Sequence, residues 1–185
     1  KCYNLEKIPS TLVNLTTLNC GGCSNLHEIP KTLIKLEILY CDGCPNLQEI
    51  PPTLLNLTTL YCSGCPNLQE IPSTSPNGAT PWLVNLTELD CSYCSNLHEI
   101  SSTLVNLIKL NCWECEKIQT LNGGEAQEIS SILSHSAMPQ SGSSLHDDHP
   151  VLSGREPGPW LVNLTELHCG SCPNINEIPS ILVNL

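Results

Sequence analysis

Apolar residues recur along this chain with a fixed rhythm. Between residues 36 and 57 they stand at Leu36, Leu39, Cys41, Cys44, Leu47, Ile50, Leu54 and Leu57, in steps of 3, 2, 3, 3, 3, 4 and 3 that span 21 residues. The step of two from Leu39 to Cys41 is strand spacing and turns Tyr40 away from the apolar side. The remaining steps suit a turn followed by a loose helical or extended return.

The cysteines keep the same period. Cys20, Cys41 and Cys62 lie 21 apart, as do Cys23, Cys44 and Cys65. Cys91 and Cys112 resume the step after a gap of 29, and Cys169 follows Cys112 by 57. A fixed period of this size signals a solenoid, propeller or array, because one such unit cannot bury its apolar face alone and must stack. Twenty-one residues are also three heptads, but Gly43, Pro45, Pro51 and Pro52 within one period exclude a continuous helix.

The segment Leu57-x-x-Leu60-x-Cys62-x-x-Cys65-x-x-Leu68 resembles a leucine-rich repeat, with Cys65 at the position that family gives to Asn or Cys. Its tail, Pro66-Asn67-Leu68-Gln69-Glu70-Ile71-Pro72, resembles segments in the repeat regions of plant intracellular immune receptors. Similar short cysteine-type repeats occur in bacterial and large-virus proteins. Cys62 stands where the family usually has Leu, and the short period leaves little room for a convex helix. The resemblance implies an α/β-type repeat solenoid: an arc with a parallel β-sheet on its concave face and short 3-10 or extended segments on the convex face. Nothing in the chain resembles a nucleotide-binding or signalling domain.

Residues 1–185 therefore read as a single array with two insertions, a short loop at 75–82 and a long one at 125–160. Both end in Pro-Trp and rejoin the repeat at Leu-Val-Asn-Leu-Thr-Glu-Leu. The long one is rich in Ser, Gly, Pro and His and reads as a flexible loop, with a short helix expected at 125–135. The first cysteine, Cys2, is the second of a unit, and the chain closes on Leu185, the first core position of another. It is expected to be a piece of a longer repeat protein.

Charge narrows the partners. Seven Lys and Arg stand against 18 Asp and Glu, a net charge of -11, and Arg155 is the sole arginine. Phosphate binding needs clustered cations, so nucleic acid and anionic membrane surfaces are not expected partners. No apolar run approaches the ~18 residues of a membrane span, and no signal peptide opens the sequence.

Thirteen cysteines invite a metal reading. Cys20-x-x-Cys23 and Cys41-x-x-Cys44 have a spacing often seen around zinc, which makes a metal-binding or redox protein the alternative function. The pattern recurs in every unit, however, so buried reduced thiols filling core positions explain it more simply. An odd number of thiols suits a reducing, intracellular compartment. No metal or cofactor is expected.

Asn14, Asn56, Asn85 and Asn163 each begin an Asn-Leu-Thr sequon, all at one repeat position, so a repeated ancestral unit accounts for them. Glu28, Glu49, Glu70, Glu99 and Glu177 form a column that reads as a solvated acidic face. His146-Asp147-Asp148-His149 is the one dense polar cluster, and it lies in the long insertion without a fixed scaffold. No phosphate-binding loop, His-Glu-x-x-His or nucleophile elbow is present, and the chain is expected not to be an enzyme.

Strand alternation predicts the binding surface. Residues flanking the inward Leu and Cys positions project from the concave face, which gathers Tyr40, Tyr61, Tyr93 and Trp113 among the acids Glu88, Asp90 and Glu114. Tyr and Trp are enriched at interfaces and their hot spots. The expected function is a protein-binding scaffold for a protein partner, with the acids favouring a basic one.

Overall fold

The computed structural model describes residues 3–71, 83–100, 104–119, 121, 161–175, 178 and 184. Six short strands form one parallel sheet in chain order: β1 (Thr17–Asn19), β2 (Ile38–Tyr40), β3 (Thr59–Tyr61), β4 (Glu88–Asp90), β5 (Lys109–Asn111) and β6 (Glu166–His168). Each strand contributes one coil of an open solenoid, and among the described residues there is no helix.

The register reproduces the sequence period. Leu18, Leu39, Leu60, Leu89, Leu110 and Leu167 face one another in turn along the sheet. The pairing Thr59↔Glu88 spans 29 residues and Lys109↔Glu166 spans 57, yet both keep the same leucine in line. The insertions themselves, the helix expected at 125–135 and the His146–His149 cluster lie outside the described residues.

The steps of three have a simple cause. Leu33 N–H donates to Pro30 O, Leu36 N–H to Leu33 O, Leu47 N–H to Cys44 O and Leu54 N–H to Pro51 O, at 3.0 to 3.2 Å. These are β-turn bonds, and a turn brings its first and fourth residues to the same side of the chain. The apolar steps of three that could have begun a helical return are therefore mostly corners, joined by extended segments. Leu36, Leu39, Cys41, Cys44, Leu47, Ile50, Leu54 and Leu57 are all fully buried in a continuous core. Truncating any of these leucines would cost about 2–5 kcal/mol.

Side-chain ladders tie coil to coil where no strand exists. Asn56 Nδ2 donates to Ile34 O at 2.8 Å, Asn106 Nδ2 to Val84 O at 2.8 Å and Asn163 Nδ2 to Val105 O at 3.0 Å. A second column does the same through Asn46 to Ser24 O, Asn96 to Pro66 O and Asn174 to Glu116 O. Where lysine replaces asparagine, at Lys35 and Lys117, its ammonium donates instead to the Oδ1 of Asn14 and Asn96. Threonines form a third column, Thr32 to Ser10 O and Thr53 to Lys31 O. The carbonyls at these corners belong to backbone that no strand partner serves, so each coil supplies its own donor to the coil before it.

Candidate protein-binding surface

The outward side chains of the strands make two columns. Thr17, Ile38, Thr59, Glu88, Lys109 and Glu166 precede the inward leucine, and Asn19, Tyr40, Tyr61, Asp90, Asn111 and His168 follow it. Side chains alternate across a strand and parallel register stacks like positions, so both columns share one face.

Aromatics and acids meet at the middle of that face. The rings of Tyr40 and Tyr61 pack with centroids 5.2 Å apart at 51°, within the range of favourable aromatic pairs. Tyr61 Oη donates to Glu88 Oε2 at 2.8 Å. That hydrogen bond, with some burial and the carboxylate's charge, pushes the Tyr61 phenol up to about 12. Asp90 accepts from Ser92 N–H and Ser92 Oγ through Oδ1 and from Asn111 Nδ2 through Oδ2. Ser92 Oγ, its proton given to Asp90, accepts in turn from the Ser63 hydroxyl at 2.9 Å. The acid is thus held by neighbours on both sides.

One cation shares the surface. Lys109 Nζ lies 3.3 Å from Glu166 Oε1 and 4.0 Å from Glu88 Oε1. Exposed pairs of this kind contribute little, ~0–1 kcal/mol, but they offset part of the negative field around Glu88. Sequence reasoning passed over Lys109, although strand alternation places it beside Glu88. Ser92 and Ser63 are not marked by the sequence pattern, because their roles depend on side-chain contacts between coils.

Tyr93 and Glu114 occupy a different element from the strand residues. Both sit at a turn with positive φ, 59° and 54°, a position filled by Gly22, Gly43 and Gly64 in the earlier coils and by Ser171 in the last. Such angles strain a non-glycine backbone. At the turns before the last coil the backbone N–H donates to the next coil, as from Tyr93 to Trp113 O at 2.7 Å and from Glu114 to Gly170 O at 3.0 Å. Aligning the three glycines with Tyr93 and Glu114 in the repeat would have revealed the turn. Trp113 covers the neighbouring coil: a Cβ built on Gly170 would fall 2.4 Å from its ring. Trp113 Nε1 donates to Glu114 Oε1 at 3.2 Å, and both Trp113 and Tyr93 remain exposed.

The cysteines face the other way. Cys44, Cys65, Cys94, Cys115 and Cys172 each donate Sγ–H to the carbonyl of the first cysteine in the preceding coil, over 2.9 to 3.2 Å. The second cysteine of each pair thus does for the core what asparagine does at the surface corners. No disulfide joins the described cysteines, and all but Cys169 are buried. Hydrogen bonding to the neighbouring thiol and burial push Cys41, Cys62 and Cys91 well above the ordinary thiol range. Among the described residues no group of three His, Cys, Asp or Glu side chains is placed to hold a metal ion. Glu28, Glu49, Glu70 and Glu99 are exposed, with Glu49 3.9 Å from Lys31 Nζ; Glu177 lies outside the described residues.

Residues 85–107 match the family model described as Leucine Rich Repeat. No curated protein matches the chain. Among solved structures it is similar to the functional domain of InlJ from Listeria monocytogenes, which includes a cysteine ladder, at 18% identity and a TM-score of 0.28, covering 95% of this chain and 48% of that one. It is also similar to the Leptospira interrogans LRR protein LIC12759, at 16% identity and a TM-score of 0.24, covering 99% and 68%. The plant peptide hormone receptor RGFR1, solved in complex with RGF2, shares 15% identity at a TM-score of 0.21, over 96% and 48%. The chain spans about half the length of the first of these. At such TM-scores the superpositions are loose, and the solenoid is read from this chain's own strands and register.

Proposed function

We propose that this stack of leucine-rich repeats is a non-catalytic protein-binding scaffold. Its partner would engage the outward face of the sheet at Tyr40, Tyr61, Glu88, Asp90, Tyr93, Trp113 and Glu114, and would carry basic groups. The observation behind this is the Tyr40–Tyr61 pair braced on Glu88. Rings already held by packing and a hydrogen bond lose little freedom on binding, which is what an interface anchor needs. Buried thiols outside any disulfide favour a reducing compartment for the folded chain.

A photo-crosslinking residue at position 40 or 61 tests this, with one at position 49 on the glutamate column as control. Proteins captured at the sheet face should bind the purified chain, and Tyr61→Ala or Trp113→Ala should weaken that binding by over ~1 kcal/mol each. Binding sensitive only to changes along Glu28–Glu99 would move the site to the other surface. Metal analysis of protein purified without added zinc separates the alternative. About one zinc per two Cys-x-x-Cys pairs would favour metal binding.

A further inference from the structure

The turn column beside the strands contains a trough that shares only Asn19 with the strand face. Over three successive coils the positive-φ position is glycine, at Gly22, Gly43 and Gly64 with φ between 64° and 74°. A Cβ built on Gly43 would meet only Gly22, at 3.9 Å, and one on Gly64 only Gly43, at 3.8 Å. The column has a bare backbone floor, on which an added Cβ would make only ordinary contact with the preceding glycine. Around this floor lies an open cavity of about 780 Å³, lined among others by Asn19, Gly21, Asp42 and Ser63. Beyond Gly64 the same column is filled, by Tyr93 and then Glu114.

Apart from the Asn19 side-chain amide, the polar groups left open in the trough are acceptors. Its backbone N–H groups are taken up within the chain: Gly22 to Asp42 O, Gly43 to Ser63 O, Gly21 to Asn19 Oδ1 and Ser63 to Asp42 Oδ1. The carbonyls of Gly22, Gly43 and Gly64 accept no hydrogen bond from the described residues. Asp42 is the one charged residue lining the cavity. It is half-buried, and burial pushes its carboxyl up, against the Ser63 N–H. A carboxylate so placed is favoured by a cation that replaces lost water.

We propose that this glycine trough receives an extended, arginine- or lysine-bearing segment of the protein partner, with Asp42 pairing its cationic side chain. The proposal rests on the scaffold reading and adds a second contact line beside Tyr40 and Tyr61. Two features argue for this occupant. The Asp42 carboxylate and the open glycine carbonyls call for a donor-rich group, and guanidinium is the richest of the side chains. A floor without side chains also admits the close approach of another backbone.

The test is an amide-resolved NMR titration of the full chain with a capped hexapeptide alternating Arg and Gly, and with its Glu-Gly counterpart. The expected result is a shift of the Gly21, Gly22, Gly43 and Gly64 amides with the Arg peptide alone. Asp42→Asn keeps an acceptor for Ser63 N–H but removes the charge, and should weaken binding about tenfold. Gly64→Tyr copies what the next coil already tolerates at Tyr93, and should abolish the shifts while leaving the strand amides in place. Shifts centred on Tyr40, Tyr61 and Glu88 would overturn the trough but leave the scaffold reading standing. Absence of shifts, equal response to both peptides, or shifts spread along Glu28, Glu49 and Glu70 would overturn it as well.

Discussion

Asn163 donates its side-chain amide to the carbonyl of Val105, 58 residues earlier in the chain, at 3.0 Å. Asn106 makes the same bond to Val84 over 22 residues. One geometry thus survives whatever length of chain is looped out between the coils. It also gives three of the four sequon asparagines a structural role. Asn56, Asn85 and Asn163 are held to the preceding coil, and Thr58 and Thr87 also donate to it, through Oγ1 to Glu37 O and Thr58 O. Asn106 keeps the bond without being part of a sequon.

Replacing Asn56 or Asn163 by Ala should therefore destabilise the array by about 1 kcal/mol, the ordinary net value of one hydrogen bond. Urea unfolding monitored by circular dichroism would read it as a lower midpoint at unchanged slope. An unaltered midpoint in both variants would mean that water serves the Ile34 and Val105 carbonyls equally well.

Deleting residues 125–160 should leave the repeats folded. The β5–β6 register is already the one a 21-residue connection would give, and loop length costs only about 0.6 kcal/mol per doubling. The far-ultraviolet spectrum per remaining ordered residue should not change. Loss of the sheet signal would show that the insertion is a structural element.

Thiol reagents should distinguish Cys169 from the other described cysteines. Cys169 is partly exposed, whereas the rest are buried and Cys41, Cys62 and Cys91 are shifted away from the reactive thiolate. Under native conditions peptide mapping should find label at Cys169 well before Cys41 or Cys91, and denaturation should equalise them. Rapid native labelling of Cys41 would contradict the buried ladder.

The Tyr61–Glu88 bond gives a pH signature. The folded phenol is raised to about 12 from an unfolded value of about 10. Its contribution to stability is fully present below pH ~10 and is lost as pH rises through about 12. Absorbance at 295 nm should show one tyrosine ionising late, and Glu88→Gln should bring it back toward the ordinary phenol range. A late transition that persists in Glu88→Gln would assign the shift to burial instead.

Filling the space under Trp113 should displace it. A methyl group at Gly170 would fall 2.4 to 2.8 Å from three atoms of the indole, so Gly170→Ala must swing the ring outward. The emission lost on Trp113→Phe, taken as a difference in each background, should shift to longer wavelength in Gly170→Ala. An unshifted difference spectrum would place the ring elsewhere.

The core was legible because burial leaves its mark on every coil. Leu36 to Leu57 follow a rhythm that the folded chain keeps residue by residue. The strand face was legible for Tyr40, Tyr61, Glu88 and Asp90 because alternation alone decides which way they point. Tyr93 and Glu114 were harder, since they project from a turn whose backbone angle shows only in the glycines that precede them in the column. Least visible were the links between coils. Whether Cys44 is a core filler or a donor to the Cys20 carbonyl, or Lys109 a free cation or a clasp on Glu166, depends on contacts between residues about 20 to 60 apart.

The side-chain ladders give the solenoid a direction. Asn56, Thr58 and Cys65 all donate backward, to the carbonyls of Ile34, Glu37 and Cys41 in the preceding coil. A ribosome releases the earlier coil first, so each new coil emerges carrying its donors toward acceptors already in place. Assembly can follow synthesis one coil at a time, with the finished surface serving as template for the next turn of chain.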